Sequence, residues 1–190
     1  FAGGHIDNFK VIENKLYKKT KIGELNAYLL IYKKYPQLIK FFPTFYGHEF
    51  DENNIPIIIL ENLNPNGDKN VLDLKCTEIR KQRFASMNLT KKYHFYLAGA
   101  QIYNKDKLLL EHLKSISASI EENDIYLLLG RFFYPSSLET IKKKTYEIEM
   151  FLKDLEEYLI NIPVSLEMSS LMLLYDIETE NLKFKIIDLT

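Results

Sequence analysis

The pattern of apolar and polar positions divides the first third of the chain into short strand-like runs and one helix-like segment. Apolar and aromatic runs bounded by turn residues predict a hairpin over residues 1–19 and strands over residues 41–50 and 55–61. After Thr20, apolar residues recur at helical spacing and stop before Pro36, which predicts a helix that Thr20 caps and that ends near Lys34. These elements are expected to form an antiparallel sheet with one helix.

The pattern changes after residue 61. Residues 62–70 contain Asn-Pro-Asn-Gly-Asp, a loop signal and the best candidate for a boundary between two lobes. Beyond it, a central strand is predicted within residues 70–80 and further strands over residues 94–104, 169–176 and 182–189, with helices over residues 107–117 and 124–133. A capping box of Ser136 and Glu139 predicts a long helix, whose apolar stripe from Leu138 through Leu152 to Leu159 is expected to be core. The order of elements predicts an α+β fold in two lobes.

An acid and a base stand two residues apart in the apolar strand that opens this second part. Because alternate side chains of a strand point to opposite faces, Asp73 and Lys75 share one face. Such a pair can orient a ligand that is polyanionic or rich in hydroxyls, with the lysine on a phosphate and the aspartate on a hydroxyl. The other interpretation is a solvent-facing ion pair on a half-buried strand.

Other candidate residues also allow two interpretations. The glycine pair Gly3-Gly4 marks either an ordinary turn or a close approach of the backbone to a ligand. Glu24, in the first turn of the predicted helix, is favoured there by the helix dipole alone. The cations Arg80 and Lys81 suit either substrate phosphates or a solvated loop. Asp188, at the end of an apolar strand, either places a carboxylate in a cleft or starts a turn.

Composition narrows the classes of protein. With 190 residues, 46% of them apolar, the chain can bury a sizeable core. Its net charge of −1 gives no overall attraction to nucleic acid or membrane, so an anion site has to be a local group of cations. The single cysteine cannot form an intrachain disulfide, the four histidines are scattered, and no apolar run approaches the ~18 residues of a membrane helix. We expect a soluble protein of the cytoplasm or nucleus, without structural zinc, nucleic-acid partner or membrane span. The sequence does not indicate its oligomeric state.

Five short strings occur in one order along the chain: Gly3-Gly4-His5, Leu60-Glu61-Asn62-Leu63, Asp73-Leu74-Lys75, Ser169-Ser170-Leu171-Met172 and Ile187-Asp188-Leu189. Together they resemble the inositol polyphosphate kinase family, which has Gly-Gly-His, Leu-Glu-Asn, P-x-x-x-D-x-K-x-G, Ser-Ser-Leu-Leu and Ile-Asp-Phe in that order. The chain departs from the family at Lys69 in place of proline, at Thr77 in place of glycine, and at Leu189 in place of phenylalanine.

The resemblance implies a two-lobed kinase-like fold, related to ATP-grasp proteins and protein kinases, with an antiparallel-sheet N-lobe and a mixed α/β C-lobe. Residues 1–61 would form the N-lobe, which clamps the nucleotide phosphates. Residues 62–69 would form the hinge, and residues 70–190 the C-lobe, which binds inositol phosphate and metal. ATP and Mg²⁺ are the implied cofactors.

The resemblance also assigns roles to particular residues. At the nucleotide phosphates it places Gly3, Gly4 and Lys18, with Glu24 holding the lysine there; Lys15, Lys19 and Lys21 are alternatives to Lys18. The backbone of Glu61 and Leu63 would contact adenine. On the acceptor side, Asp73 and Lys75 would be catalytic, and Lys75, Arg80 and Lys81 would bind the substrate. Asp188 would hold Mg²⁺.

Within the family, the strings V-L-D-L-K at residues 71–75 and G-A-Q-I-Y at residues 99–103 are most similar to the inositol hexakisphosphate kinases. The implied activity is an ATP-dependent kinase that makes an inositol pyrophosphate. The alternatives are a multikinase or trisphosphate kinase, and a non-catalytic sensor of nucleotide or inositol phosphate, because Thr77 adds a side chain where the family has none. A third alternative is an α+β domain of unrelated function, which would not be stabilised by Mg-ATP.

Overall fold

Two antiparallel sheets contain the strands of the described chain. The computed structural model describes residues 8–76, 95–104, 107–112, 120–160, 162, 166 and 168–189. The first sheet has the order β1-β2-β4-β3, with β1 Phe9–Ile12, β2 Lys15–Lys19, β3 Phe45–Phe50 and β4 Pro56–Glu61. The second has the order β7-β6-β5-β8-β9, with β5 Asn70–Cys76, β6 Phe95–Asn104, β7 Lys107–His112, β8 Ser170–Asp176 and β9 Asn181–Ile187. The loop at residues 62–69 joins the two sheets, and the predicted α+β class is confirmed.

Helix α1, Ile22–Lys34, follows β2 directly and packs against the first sheet. Its N-cap is Lys21, which makes no capping hydrogen bond with its side chain. The predicted cap at Thr20 is therefore wrong, because the Thr20 hydroxyl donates instead to the Glu24 carboxylate. A 3₁₀ helix, Pro36–Phe41, ends at the first residue of the segment predicted as a strand over residues 41–50, and β3 itself begins at Phe45.

Helices α2, Glu122–Phe132, and α3, Leu138–Leu159, belong to the second half of the chain. The N-cap of α3 is Ser137, whose Oγ accepts from the Thr140 amide at 3.1 Å. The predicted cap at Ser136 is one residue early, because its hydroxyl bonds the hydroxyl of the buried Tyr175.

The predicted apolar stripe of α3 is only partly buried. Leu155 is buried, whereas Leu138 and Leu152 are exposed. The predicted Ile141, Ile148, Leu155 and Leu159 do contact the core, and Phe151 and Tyr158 take the places expected for Leu138 and Leu152.

The helix predicted over residues 107–117 is wrong for residues 107–112, which form the edge strand β7. This strand pairs antiparallel with β6, where Ile102 lies opposite Leu110. A short apolar run fits a strand as well as a helix, and here the free edge of β6 decides between them. Residues 113–117 lie outside the described part of the chain.

Strand β5 lies at the centre of the second sheet, between β6 and β8. Its register with β6 shifts where Asp73 lies opposite Gly99 and Leu74 opposite Leu97, so Ala98 is an extra residue on β6. The bulge lies beside Gly99, a residue type that often marks such irregularities within strands. Since the irregularity is on β6, side chains on β5 keep their alternation, which leaves Asp73 and Lys75 on one face.

One continuous core joins the two sheets. It includes Ile58 and Leu60 of the first sheet and Leu72 and Leu173 of the second. At the α3 side the link is aromatic, since the Phe151 ring makes edge contacts with Phe41 at 5.1 Å and with Phe184 at 4.7 Å between centroids. Within the described residues, the helices are all too short or too polar to cross a membrane.

Candidate active site

A cavity of about 610 Å³ lies at the loop that joins the sheets. This volume is within the range of small-molecule sites. Its walls come from β1, β2 and β4 on one side and from β5, β6, β8 and β9 on the other. Apolar side chains form much of the wall (Val11, Leu16, Leu60, Leu63, Val71, Met172, Leu174 and Ile187), and four charged residues lie together in another part of it (Lys18, Asp73, Lys75 and Asp188).

The division into apolar and charged parts follows from strand alternation. On β5, Val71, Asp73 and Lys75 share the face that lines the cavity. Across to β8, Val71 lies opposite Leu174 and Asp73 lies opposite Met172. The wall therefore changes from apolar to charged along β5, away from the connecting loop.

In the connecting loop, most backbone amides near the cavity are hydrogen-bonded to described residues of the protein, but the Leu63 amide is not. The Asn62 amide donates to the Asn14 carbonyl at 3.0 Å and the Gly67 amide to the Asn64 carbonyl at 3.2 Å, with Gly67 at a φ of 70°. Leu63 is buried, yet its backbone makes no hydrogen bond to any described residue. The Glu61 amide is already used, donating to the Thr44 carbonyl at 2.8 Å. Of the two amides at the predicted adenine positions, only that of Leu63 is available.

Ion pairs join residues from three separate segments of the chain into one network beside the apolar wall, formed by Lys18, Glu24, Lys75 and Asp188. The Lys18 Nζ lies 2.7 Å from Glu24 Oε1 and 2.7 Å from Asp188 Oδ1. The Lys75 Nζ lies 2.8 Å from the other oxygen of Asp188. The structure thus brings together the predicted phosphate-binding, catalytic and metal-binding residues.

The rivals of Lys18 are engaged elsewhere. The Lys15 ammonium lies over the Tyr46 ring, 5.2 Å from its centroid, and Lys19 pairs with Asp51 at 2.8 Å. Lys21 is the N-cap of α1. Among these neighbouring lysines, only Lys18 lines the cavity.

The ion pairs fix the charges of the network. Burial by itself would raise the pKa of Asp188, but the nearby Lys18 and Lys75 ammoniums and their hydrogen bonds hold that pKa at about 2. Burial likewise opposes the charge of Lys18, and the Asp188 and Glu24 carboxylates outweigh it, so the pKa of Lys18 lies above its ordinary value. Asp188 and Lys18 are therefore both charged at neutral pH.

Asp188 has a special backbone conformation. Its φ is 59°, in the left-handed region that aspartate tolerates better than most residues. The residue follows β9 directly, and both of its carboxylate oxygens accept from lysines on other strands. The strand-terminal position noticed in the sequence therefore places a carboxylate in the cleft.

Asp73 and Lys75 do not form a solvent-facing pair. Asp73 is buried and lines the cavity, while Lys75 pairs with Asp188. Ser170 of β8 lies opposite Lys75 and is fully buried, and its hydroxyl has no hydrogen-bond partner within the described part of the chain. Its spacing of two and four residues puts it on the same face of β8 as Met172 and Leu174, but of these three only Met172 and Leu174 line the cavity.

The Glu61 side chain ties the first sheet to β9. It pairs with Lys183 and accepts from the Thr44 amide and hydroxyl, each at 3.3 Å. Partial burial opposes ionisation, but the Lys183 ammonium and the Thr44 donors hold the pKa of Glu61 below its ordinary value. No local sequence pattern indicates this pair, because its members are 122 residues apart.

Four predicted site residues lie outside the described part of the chain: Gly3, Gly4, Arg80 and Lys81. Thr77, the departure from the signature glycine, lies outside it as well. Their roles stay predictions.

The donor set suits a hard cation that arrives with phosphates. Mg²⁺ takes oxygen ligands and is commonly held by one or two carboxylates together with nucleotide phosphates. Asp188, with Asp73 in the same cavity wall, offers oxygens of this kind. The described residues contain no group of three or more His, Cys, Asp and Glu side chains arranged for a metal, so phosphate oxygens would have to complete the shell.

Comparison with known proteins identifies the family and the fold. The family model described as inositol polyphosphate kinase matches residues 57–190, which include Asp73, Lys75 and Asp188. The crystal structure of inositol phosphate multikinase Ipk2 from S. cerevisiae, in complex with ADP and Mn²⁺, matches with a TM-score of 0.74 at 17% identity. The match covers 92% of this chain and 87% of that chain and shows the same kinase-like fold. No curated protein sequence matches significantly.

Proposed function

Because the chain belongs to the inositol polyphosphate kinase family, we propose that its cavity transfers the γ-phosphoryl group of ATP to an inositol polyphosphate. The observation that carries this proposal is the convergence of Lys18, Lys75 and Asp188 on one end of an apolar-lined cavity. Phosphoryl transfer depends chiefly on clamped phosphates, a placed metal and an aligned acceptor. The cavity offers a residue for each.

The apolar part of the cavity suits a purine. Leu16 and Leu60 on one side and Met172 and Leu174 on the other leave a slot between the sheets. The unbonded Leu63 backbone borders this slot and can pair with the edge of the base. The triphosphate would then extend toward Lys18, which Glu24 holds at 2.7 Å.

Asp188 would hold Mg²⁺, which neutralises charge on the β- and γ-phosphates when it is bound. Both Asp188 oxygens accept from ammoniums in the free protein. Lys18 and Lys75 can give up this carboxylate only if they gain phosphate oxygens in return. The network therefore favours binding of metal and nucleotide together.

Lys75 and Asp73 would act on the acceptor side. Lys75, released from Asp188, would neutralise the phosphoryl group during transfer. Asp73 would contact the acceptor hydroxyl or the ribose. Arg80 and Lys81 follow the same strand in sequence and are proposed to bind the other substrate phosphates.

For the substrate, we propose inositol hexakisphosphate or a related inositol polyphosphate, with an inositol pyrophosphate as product. The strings at residues 71–75 and 99–103 support this choice. The second candidate within the class is a multikinase or trisphosphate kinase.

A sensor that binds nucleotide or inositol phosphate without turnover is the second candidate function. Two observations favour it: Thr77 replaces the signature glycine, and Asp188 is fully engaged by lysines before any ligand binds.

The test is transfer of phosphate from Mg-ATP to each of a panel of inositol phosphates, from tris- to hexakisphosphate, resolved by anion exchange. We expect a product with at least one acceptor, and a loss of about a hundredfold or more in Asp188→Asn, which keeps the shape but not the charge. Glu149→Gln, on the exposed face of α3, is the matched control and should retain full activity. Folded protein that binds Mg-ATP or an inositol phosphate but transfers no phosphate would be the sensor, and the absence of any thermal shift with Mg-ATP and with every inositol phosphate of the panel would refute both functions.

A further inference from the structure

Tyr28 lies behind the charged network and has no role in the mechanism above. It is on α1, one turn after Glu24 and on the same face of the helix. The side chain is fully buried, and its ring stacks on Phe45 with 5.3 Å between centroids. Its hydroxyl finds no hydrogen-bond partner among the residues that the structure describes.

The next tyrosine on the same helix has a hydrogen-bond partner. The half-buried Tyr32 also contacts the Phe45 ring, and its hydroxyl accepts from the Phe45 amide at 2.7 Å. Of these two phenols one turn apart, the fully buried Tyr28 is the one whose hydroxyl has no partner among the described residues. A buried hydroxyl without a partner destabilises the folded protein.

The two carboxylates whose charges act on the Tyr28 hydroxyl already accept hydrogen bonds from other donors. The Glu24 oxygens accept from Lys18 and Thr20, and the Asp188 oxygens accept from Lys18 and Lys75. Burial, and after it the charges of Glu24 and Asp188, raise the pKa of Tyr28 well above its ordinary value. The hydroxyl therefore keeps its proton and can act only as a neutral donor or acceptor beside these carboxylates.

We propose that Tyr28 is a positioning residue for the nucleotide, whose hydroxyl donates to the Glu24 carboxylate once the phosphates draw the Lys18 ammonium toward themselves. This inference rests on the proposed function, because it needs phosphates at Lys18. In the free protein, Lys18 satisfies Glu24 and Asp188 together. A bound triphosphate would compete for the Lys18 ammonium, and the Glu24 carboxylate would lose part of its hydrogen bonding to that lysine. The Tyr28 hydroxyl, on the same helix, could then donate to Glu24.

The consequence is a coupling between nucleotide binding and one hydroxyl that touches no nucleotide. Binding satisfies a donor that the free protein leaves unsatisfied, so the hydroxyl disfavours the free state and favours the bound state. Removing it is expected to affect the two states in opposite directions. A side chain that serves only the core would not do this.

The experiment compares Tyr28→Phe with Tyr32→Phe, each the loss of one oxygen from a ring that stays in place. For Tyr28→Phe we expect an unchanged or higher melting temperature without ligand and Mg-ATP binding weaker by about tenfold, the factor supplied by one hydrogen bond to a charged group. The KM for ATP should rise by a similar factor while kcat stays within about threefold. For Tyr32→Phe we expect a melting temperature lower by a few degrees, because the Phe45 amide loses its acceptor, and unchanged Mg-ATP affinity.

Calorimetric titration with Mg-ATP and thermal unfolding together separate the outcomes. Wild-type affinity in Tyr28→Phe would overturn the inference and leave the proposed function intact. A lower melting temperature in Tyr28→Phe would also overturn it, since the hydroxyl would then have a partner in the free protein. Failure of the wild-type protein to bind Mg-ATP would remove the proposed function and this inference together.

Discussion

Among single residues, Asn70 shows how a buried polar side chain supports the site without entering it. It is fully buried; its Nδ2 donates to the Phe132 carbonyl at 2.8 Å, and its Oδ1 accepts from the Tyr103 amide at 2.7 Å. The end of α2 and strand β6 are thereby fixed to the first residue of β5. Asp73 and Lys75 follow on that strand, so their positions depend on this anchor.

We expect Asn70→Ala to lower the free energy of unfolding by about 2–4 kcal/mol, because it leaves a buried carbonyl and a buried amide without partners. Urea titration followed by circular dichroism measures the loss. Asn66→Ala, in the exposed connecting loop, is the control and should change stability by less than about 0.5 kcal/mol. Equal effects of the two substitutions would contradict this role for Asn70.

Among elements, strand β9 is tied to the first half of the chain by its lysines. Lys183 pairs with Glu61 at the end of β4, and the Lys185 ammonium donates to the Lys40 carbonyl at 2.5 Å. Lys40 in turn pairs with Asp154 of α3 at 2.5 Å. The Glu61–Lys183 pair lies beside the connecting loop and holds β4 and β9 on either side of the proposed purine slot, while the Lys40 contacts tie β9 and α3 to the 3₁₀ helix.

The Glu61 pair predicts a pH dependence of stability. The pKa of Glu61 is lower in the folded protein than in the unfolded chain, so its contribution is complete above the unfolded value of about 4.3 and is lost as pH falls through the folded value. Glu61→Gln should therefore cost about 0.5–1 kcal/mol at pH 7, and the difference from wild type should shrink below about pH 4.

Urea titrations between pH 7 and pH 3 would show this convergence. Glu149→Gln removes an exposed ion pair with Lys153 on α3 and serves as the control, with a smaller effect at pH 7. A difference between Glu61→Gln and wild type that stays constant down to pH 3 would argue against the pair.

Across the whole molecule, one core supports both sheets. Phe41 of the 3₁₀ helix is buried and makes edge contacts with Phe151 and Tyr158 of α3, and Phe151 also contacts Phe184 of β9. The two sheets are therefore not independent in stability, although a loop with free backbone joins them. A shared core leads to one cooperative unfolding transition.

Phe41→Ala is expected to destabilise the protein by about 3–5 kcal/mol, because it leaves a cavity at the junction of the sheets. Calorimetry and circular dichroism should still report a single shared transition at a lower temperature. Phe50→Ala, at an exposed position of β3, should cost less than about 1 kcal/mol. Two separate transitions in Phe41→Ala would show that each sheet unfolds alone.

Much of the fold and of the candidate site was predictable from the sequence. Strand alternation placed Asp73 and Lys75 on one face, and apolar periodicity located α1, α2 and most strands, because these signals arise between residues only a few positions apart. The motif resemblance indicated Lys18, Glu24 and Asp188, and these residues meet in the structure. Where local signals conflicted, prediction failed: Thr20 and Ser136 each bond another side chain instead of capping a helix.

The sequence by itself therefore determined the α+β class, the order of most elements and the chemical character of the site. Only the tertiary structure decided that residues 107–112 form a strand, that Lys75 pairs with Asp188 and that Lys183 pairs with Glu61. The physical reason is that the two ion pairs join segments far apart in the chain, whereas the apolar run at residues 107–112 fits a helix as well as a strand until the edge of β6 is there to pair with it. Their geometry depends on strand register and core packing, which no local pattern of residues records.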